Sequence, residues 1–258
     1  MTGKRDHGDG GIDERGPDRW RLRWRVDGKR YTKAFHGTKR AAQTELRRLL
    51  KSADDGAHVA PSKVTIAASL RRWLDSDTDL SPKTLERYRQ LAEHQIIPHL
   101  GATVLQDLRP AQIAAWHAQL LKSGAVDGGA LSTRTVGAAH RVLSRYLTLA
   151  VRREVVSRNV ASAAPPPKVD AREVEILTPD QIVDILDRLA GHTLYPIAVM
   201  ALGTGMRRGE LCGLAWGALD LDKAVVRVER SIEQTGAGLR AKAPKTKHAA
   251  RSACRRTS

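Results

Sequence analysis

The chain contains 258 residues, with 44 lysines and arginines against 28 aspartates and glutamates, and its formal net charge is +16. Apolar residues make up 41% of the chain, but no apolar run approaches the roughly 18 residues of a membrane span, and no apolar segment follows the N-terminus. Two cysteines are too few for a disulfide framework or a four-cysteine zinc site. We therefore expect a cytoplasmic protein that binds a polyanion, with no cofactor, no metal and no membrane.

The positive charge is distributed along the whole chain. Residues 1–60 and 61–170 each carry 15 basic and 9 acidic residues, and residues 171–258 carry 14 and 10. A single basic tail does not explain such a distribution. It is typical of a protein that contacts a polyanion with each of its segments.

The first 58 residues predict a small sheet and one helix. Residues 1–15 are expected to form a flexible arm. Apolar side chains then alternate with Arg21, Arg23 and Arg25, which is the period of a strand with one arginine face. Asp27-Gly28 predicts a hairpin turn, residues 29–35 the return strand, and the residues from Thr38 a helix. The arginines are either solvated or in contact with DNA. Their mutual repulsion favours an external anion, and a two-stranded ribbon fits the major groove.

After a linker at residues 52–63, residues 61–162 predict a bundle of four helices. The pattern gives helices over 64–74, from Ser81 to a stop at Pro98 and Gly101, over 110–121 and over 132–155. Trp73, Tyr88 and Trp116 recur at helical spacing and are assigned to the core. Because helix N-termini favour phosphate, two groups are candidate DNA contacts, unless they are simply solvated. They are Lys83, Thr84 and Arg87, and Ser132, Thr133 and Arg134.

The last segment follows three successive prolines, Pro165–Pro167, which favour an extended spacer. A helix is predicted from Thr178-Pro179. Residues 195–202 are almost wholly apolar and predict a helix that is buried on all sides. A short helix at 211–215, a strand at 224–228, a turn at 234–238 and a second strand from Leu239 follow.

Residues 204–216 read Thr-Gly-Met-Arg-Arg-Gly-Glu-Leu-Cys-Gly-Leu-Ala-Trp. They resemble the first catalytic-arginine motif of the tyrosine recombinases (phage integrase family), T-G-x-R-x-x-E-L-x-x-L-x-W, at every fixed position. Ala243-Pro-Lys-Thr-Lys247 resembles the lysine hairpin of the same family. The resemblance covers roughly residues 10–251.

The resemblance implies a multidomain, mainly α fold with three parts. An arm-type DNA-binding domain (a small β-sheet plus a helix) would occupy 1–58, and a helical core-binding (SAM-like) bundle 61–162. A partial α+β catalytic domain would occupy 171–258. The implied partners are double-stranded DNA and other integrase protomers on that DNA.

The resemblance assigns catalytic roles to Arg207 and Lys245. In phosphodiester transesterification, negative charge develops on the non-bridging oxygens, which a guanidinium can bind with two donors. That role belongs to Arg207, with Arg208 as the adjacent alternative. Lys245 would protonate the leaving 5′-oxygen. Glu210, one helical turn from Arg207, either orients the guanidinium or braces the fold.

The family also uses an H-x-x-R motif and a tyrosine nucleophile near the C-terminus. Tyrosines occur at positions 31, 88, 146 and 195, all before Lys245, and none can be assigned as the nucleophile. His248-Ala-Ala-Arg251 has the right spacing, but it lies where the return strand of the hairpin belongs. We interpret it as basic hairpin residues. Residues 252–258 lack the apolar alternation of that strand, and we expect a truncated chain whose residues 171–258 fold less stably than 61–160.

These features predict a member of a family that carries out site-specific DNA recombination and integration. As it stands, the chain is expected to bind DNA without cleaving it, so whether it is an enzyme stays open. The alternative is a non-enzymatic DNA-binding regulator that competes with a full-length integrase. A generic RNA-binding protein would explain the charge but not the arginine motif.

Overall fold

The computed structural model describes residues 10–26, 28–54, 59–76, 80–125, 128–169 and 175–244, together with the backbone of 251–253. The chain divides into two compact units. One comprises residues 1–79 and 87–169, and the other comprises 80–86 and 170–258. Among the described residues, no helix is both long enough and apolar enough to cross a membrane.

The first unit begins with a three-stranded antiparallel sheet and one helix. Strands β1 (Gly11–Gly16), β2 (Arg19–Val26) and β3 (Lys29–His36) lie in the order β1-β2-β3, and α1 (Lys39–Asp54) follows. Side chains alternate between the two faces of a strand. The even-numbered side chains of β2 therefore enter the core with α1, while its arginines lie on the opposite, open face. The core residues are Leu22, Trp24, Ala42 and Leu46.

The expected flexible arm is wrong for residues 11–15, which belong to β1. Ile12 pairs with Leu22 of β2 and packs against the core. The sequence did not reveal this strand because Ile12 is its one apolar residue, so no alternation is visible. The predicted β2–β3 hairpin does form. Gly28 in its turn has a φ of +77°, a backbone conformation that glycine adopts without steric cost. Asp27 lies outside the described residues.

The remainder of this unit is helical. Its helices are α2 (Ile66–Ser76), α3 (Pro82–Leu91, of which residues 82–86 belong to the other unit), α4 (Ile97–Leu100), α5 (Pro110–Ser123) and α6 (Thr133–Arg152). Trp73 and Trp116 are buried as predicted, and Tyr88 is partly buried against Trp73. The predicted helix stop at Pro98 and Gly101 is confirmed at Gly101, the C-cap residue of α4, and is wrong only for Pro98. The chain passes from α3 through a π-helical turn, Ala92–Ile96, into α4, and Pro98 occupies the first turn of α4, where its missing N–H costs nothing.

The second unit combines helices with short strands. Its helices are α7 (Pro179–Arg188), α8 (Tyr195–Thr204) and α9 (Arg208–Cys212). Its strands are β4 (Leu219–Asp220), β5 (Val225–Arg227), β6 (Ser231–Thr235), β7 (Gly238–Lys242) and β8 (Arg251–Ala253). They form a β4-β5-β8 sheet and a β6–β7 hairpin, both antiparallel. Met206, Val226 and Val228 form the buried core.

Two expectations for this unit are wrong. Helix α8 is not buried on all sides, because no other described element of the unit encloses it, and Ile197 is 52% exposed. The return strand does form over Arg251–Ala253, where backbone pairing with β5 does not depend on apolar alternation. The fold class is confirmed, with helices predominating and small antiparallel sheets in both units.

Candidate functional site

Arg207 and Glu210 form a compact pair at the start of α9. The backbone N–H of Arg207 donates to Glu210 Oε2 at 2.9 Å, and Arg207 Nη1 donates to Glu210 Oε1 at 3.1 Å. Glu210 is buried, whereas the Arg207 side chain is 66% exposed. The backbone hydrogen bond from Arg207 lowers the pKa of Glu210, and the guanidinium lowers it further. Glu210 therefore both braces the helix start and orients the guanidinium. The two alternative roles predicted for it are compatible.

The glycines of the motif allow α9 to lie close to the chain that follows it. Gly205 ends α8 with a φ of +67°, in the left-handed region. A Cβ on Gly209 would lie 2.6 Å from Ser231 Oγ and 2.7 Å from the carbonyl oxygen of Ile232. A Cβ on Gly213 would lie 2.8 Å from the carbonyl oxygen of Arg230. Glycine is thus needed where α9 approaches β6 and the residue before it.

The other candidate residues of the second unit are Arg208, Lys245, His248 and Arg251. Arg208 is exposed and has no ion-pair partner among the described residues, so Glu210 distinguishes Arg207 from it. Lys245 and His248 lie outside the described residues. The backbone of Arg251 pairs with Arg227 of β5, so Arg251 belongs to the β4-β5-β8 sheet and not to the β6–β7 hairpin.

One carboxylate on β1 organises two of the predicted DNA-contacting arginines. Arg21 donates to Asp13 Oδ2 through Nε at 3.1 Å and through Nη2 at 2.9 Å, and Arg23 Nη2 donates to Asp13 Oδ1 at 2.7 Å. The Arg21 hydrogen bond, with the nearby arginines, lowers the pKa of Asp13. For Arg21 and Arg23, the argument that repulsion requires an external anion is therefore wrong. Sequence reasoning missed Asp13 because it lies in the supposed flexible arm.

For the third arginine, Arg25, the repulsion between like charges that the sequence predicted remains. It lies directly opposite Arg30 on β3, and both side chains are exposed. Neither has an ion-pair partner in the part of the chain that the structure describes. Like charges directly opposite each other destabilise an antiparallel pair. The strand register adds Arg30 to the candidate contacts, because it places that residue beside Arg25.

The candidates at the helix starts lie where the sequence placed them. In α3, Lys83 pairs with Glu86 at 3.1 Å, the Thr84 hydroxyl lies 2.7 Å from the Ser81 hydroxyl, and Arg87 donates to Gln90 at 2.6 Å. In α6, Ser132 is the N-cap, and its hydroxyl accepts from the Thr135 N–H at 3.2 Å. Thr133 and Arg134 follow in its first turn, and Arg134 is exposed. These local bonds occupy several of the side chains, while the positive charges remain exposed.

Over the described ranges, no three His, Cys, Asp or Glu side chains converge on a point that could hold a metal ion. A buried pair of histidines does occur in the helical part, with His140 Nδ1 3.2 Å from His117 Nε2.

Comparison with known proteins gives matches to two family descriptions. "Phage integrase, N-terminal SAM-like domain" matches residues 65–121, and "Phage integrase family" matches residues 175–255. An integrase of Streptomyces ambofaciens is 32% identical over 225 residues, which are 84% of this chain and 56% of that protein. A XerC-like tyrosine recombinase of Caldanaerobacter subterraneus is 28% identical, covering 81% of this chain and 54% of that protein. The chain spans about half the length of these curated relatives.

Solved structures show the same fold. The Tn1549 transposon integrase superimposes with a TM-score of 0.60 at 23% identity, covering 71% of this chain and 58% of that one. Lambda integrase superimposes with a TM-score of 0.54 at 20% identity, covering 93% and 68%. The fold and the arginine motif agree with the two family matches. The chain belongs to the phage integrase family of tyrosine recombinases, as the motif at residues 204–216 predicted.

Proposed function

We propose that this chain binds double-stranded DNA in site-specific recombination, together with other integrase protomers. The observation that carries the proposal is Arg207, an exposed guanidinium held by a buried carboxylate within the family motif. The solved relatives support it, because the lambda integrase structures contain a dimer on a core site and a tetramer on a Holliday junction. The basic residues on β2 and at the starts of α3 and α6 would add contacts to phosphate.

Arg207 would bind the scissile phosphate. Glu210 contacts Nη1, so the rest of the guanidinium is free to donate to two non-bridging oxygens. Its charge would stabilise the negative charge that develops in the transition state. Lys245 would be the general acid for the leaving 5′-oxygen, a role that rests on the family resemblance and its position after the β6–β7 hairpin.

We further propose that these 258 residues do not cleave DNA by themselves. Tyr146 is buried, its hydroxyl bonds that of Ser69, and burial raises its pKa, which makes it a poor nucleophile. Tyr88 packs on Trp73, and Tyr31 stacks on Trp24. Tyr195 begins α8, and that ten-residue helix, about 15 Å long, separates it from the residues before Arg207.

Three measurements test the proposal. Fluorescence anisotropy with a labelled duplex should show a Kd that rises steeply with salt, and a salt-independent Kd would contradict DNA binding. Arg207→Ala should weaken binding to a nicked junction more than Arg208→Ala, because both variants lose one charge but only Arg207 is oriented by Glu210. Equal losses would contradict the assignment. A denaturing gel of a nicked suicide duplex should show no covalent adduct, and an adduct would show that one of the four tyrosines attacks.

A further inference from the structure

The open face of the N-terminal sheet holds two differently built arginine pairs. Arg21 and Arg23 share the Asp13 carboxylate, whereas Arg25 and Arg30 face each other across β2 and β3 without a carboxylate in the described chain. The two pairs lie on one face because residues two apart along a strand, and residues paired across strands, share a side. Because the two arginine pairs differ in net charge and in rigidity, we expect them to bind different groups.

Asp13 fixes the orientation of both guanidiniums. It occupies the Nε–Nη2 edge of Arg21, which leaves the outer edge, with Nη1, free to donate. Arg23 lies flat over the backbone of β1, since a Cβ on Gly11 would lie 3.1 Å from its Nη2 and 3.3 Å from its Nε. The Arg21 and Arg23 side chains are still 42% and 37% exposed. Each guanidinium is therefore held on a partly exposed side chain, and Nε of Arg23 is itself buried.

The charge of the Asp13 cluster suits a base better than a phosphate. One carboxylate reduces the two guanidinium charges to a net +1 and would repel a phosphate brought beside it. The edge of guanine is neutral and offers two acceptors, N7 and O6, to the free edge of an oriented arginine. Arg25 and Arg30 retain both positive charges, so a phosphate there would relieve their repulsion.

We infer that Asp13 is a positioning residue that holds Arg21 and Arg23 for reading guanine in the major groove, while Arg25 and Arg30 bind phosphate. The inference rests on the proposed DNA binding and adds a division of labour within the sheet. Removing Asp13 would raise the positive charge of the face but would release the two arginines. Affinity for arbitrary DNA and preference for a sequence should then change in opposite directions.

The test uses the full chain and two duplexes. One duplex is recovered from a random-sequence pool by repeated selection with the wild-type protein, and the other is its shuffled version. The readout is the ratio of the two Kd values, measured by anisotropy at one salt concentration. Asp13→Asn is compared with Glu14→Gln, which removes the same charge from the next residue of β1, and circular dichroism confirms that both variants are folded.

Asp13→Asn should lower the selectivity ratio about fivefold or more, with unchanged or tighter binding to the shuffled duplex. Glu14→Gln should leave the ratio unchanged. Arg21→Lys should also lower the ratio while keeping the salt dependence, because lysine keeps the charge but lacks the planar fork. This second variant serves the test if Asp13→Asn fails to fold.

Several results would overturn the inference. A ratio unchanged in Asp13→Asn and Arg21→Lys, or lowered equally by Glu14→Gln, would reduce Asp13 to a surface charge and leave the proposed function standing. A wild-type ratio of one would have the same meaning. Absence of salt-dependent binding to either duplex would overturn the inference and the proposed function together.

Discussion

The Glu210 carboxylate accepts hydrogen bonds from both the backbone N–H and the guanidinium of Arg207, at 2.9 and 3.1 Å. One carboxylate oxygen accepts from the backbone N–H at the helix start, and the other accepts from the guanidinium. A single buried residue therefore couples the stability of α9 to the orientation of the Arg207 side chain. A glutamate at the third helical position that returns to the cap residue's N–H is a known stabiliser of helix starts. Here the cap residue is also the proposed phosphate ligand.

Removing this carboxylate should loosen the start of α9. Glu210→Ala leaves the Arg207 N–H without its acceptor and should cost about 1–2 kcal/mol of stability in the second unit. Glu210→Gln keeps an acceptor and should cost less. Hydrogen exchange in the peptides that cover α8 and α9, measured at increasing urea concentrations, would give the loss of stability in each variant. The exposed Glu229→Ala is the control, and equal protection in all variants would contradict the bracing role.

The buried histidine pair should make the helical part sensitive to acid. Burial lowers the pKa of His117, and burial with the nearby charges of His117 and Arg141 lowers that of His140 to about 4. The unfolded chain, with a pKa near 6.5, binds more protons between these values, so stability is full above pH 6.5 and falls as the pH drops toward about 4.

The loss attributable to His140 should reach about 3 kcal/mol at the bottom of that window. Urea unfolding followed by tryptophan fluorescence at stepped pH would measure it, since the Trp116 ring contacts that of His117 with ring centroids 5.0 Å apart. His140→Gln should flatten the dependence, whereas substitution of the histidine at position 36 on the sheet, His36→Gln, should not. A pH profile identical in His140→Gln and wild type would contradict the assignment.

Helix starts could be predicted from the sequence because their chemistry is local. Thr178-Pro179 forms the predicted start of α7, and the structure shows that the Thr178 hydroxyl accepts from the Gln181 N–H at 3.3 Å. Ser132 caps α6 for the same reason. By contrast, whether α8 is buried depends on which elements surround it, and an apolar run carries no information about its neighbours.

The arginine motif was predictable because its residues are close in sequence and match the family pattern, and the spacing of one helical turn allowed Glu210 to be considered as a partner of Arg207. The Asp13 cluster was not, because it depends on the register that sets Asp13 opposite Arg21. A strand with one apolar residue gives no periodic signal from which that register could be derived. Arg30 differs, because the predicted two-residue turn at Asp27-Gly28 already implies a register in which Arg30 lies opposite Arg25.

The exposed apolar side chains of α8 suggest that the second unit is the less stable one, as the sequence predicted for residues 171–258. Tyr195, Ile197 and Leu202 are exposed, whereas the helical part buries Trp73, Leu143 and many others. Limited proteolysis should therefore cut within 175–244 before 61–160, as mass spectrometry of the fragments would show. Equal resistance of the two regions would contradict this order.

The Arg25–Arg30 pair should contribute to the salt dependence of DNA binding. Replacing both residues with alanine should lower the slope of log K against log salt by about 2, because each phosphate contact contributes roughly 0.9. Binding should weaken similarly on all sequences. Arg48→Ala is the control, because Arg48 lies on α1 and pairs with Glu45 at 2.8 Å. A slope that is unchanged in the double variant would exclude phosphate contact at this pair.

Gly209 should be the glycine of the arginine motif that tolerates substitution least. The Cβ of Gly209→Ala would lie 2.6 Å from Ser231 Oγ and 2.7 Å from the carbonyl oxygen of Ile232, so α9 would have to move away from β6. Gly217→Ala is the matched control, since its Cβ would meet no atom within 4 Å. We expect Gly209→Ala to lose about 1–3 kcal/mol of stability, as overpacked sites do.

That displacement should also reach Arg207, which begins the same helix, so Gly209→Ala should weaken binding to a nicked junction while Gly217→Ala keeps it. Hydrogen exchange in α9 and anisotropy on the junction would measure the two effects in the same preparations. If Gly209→Ala matched Gly217→Ala in both, the close approach of α9 to β6 would not be what holds Arg207 in place.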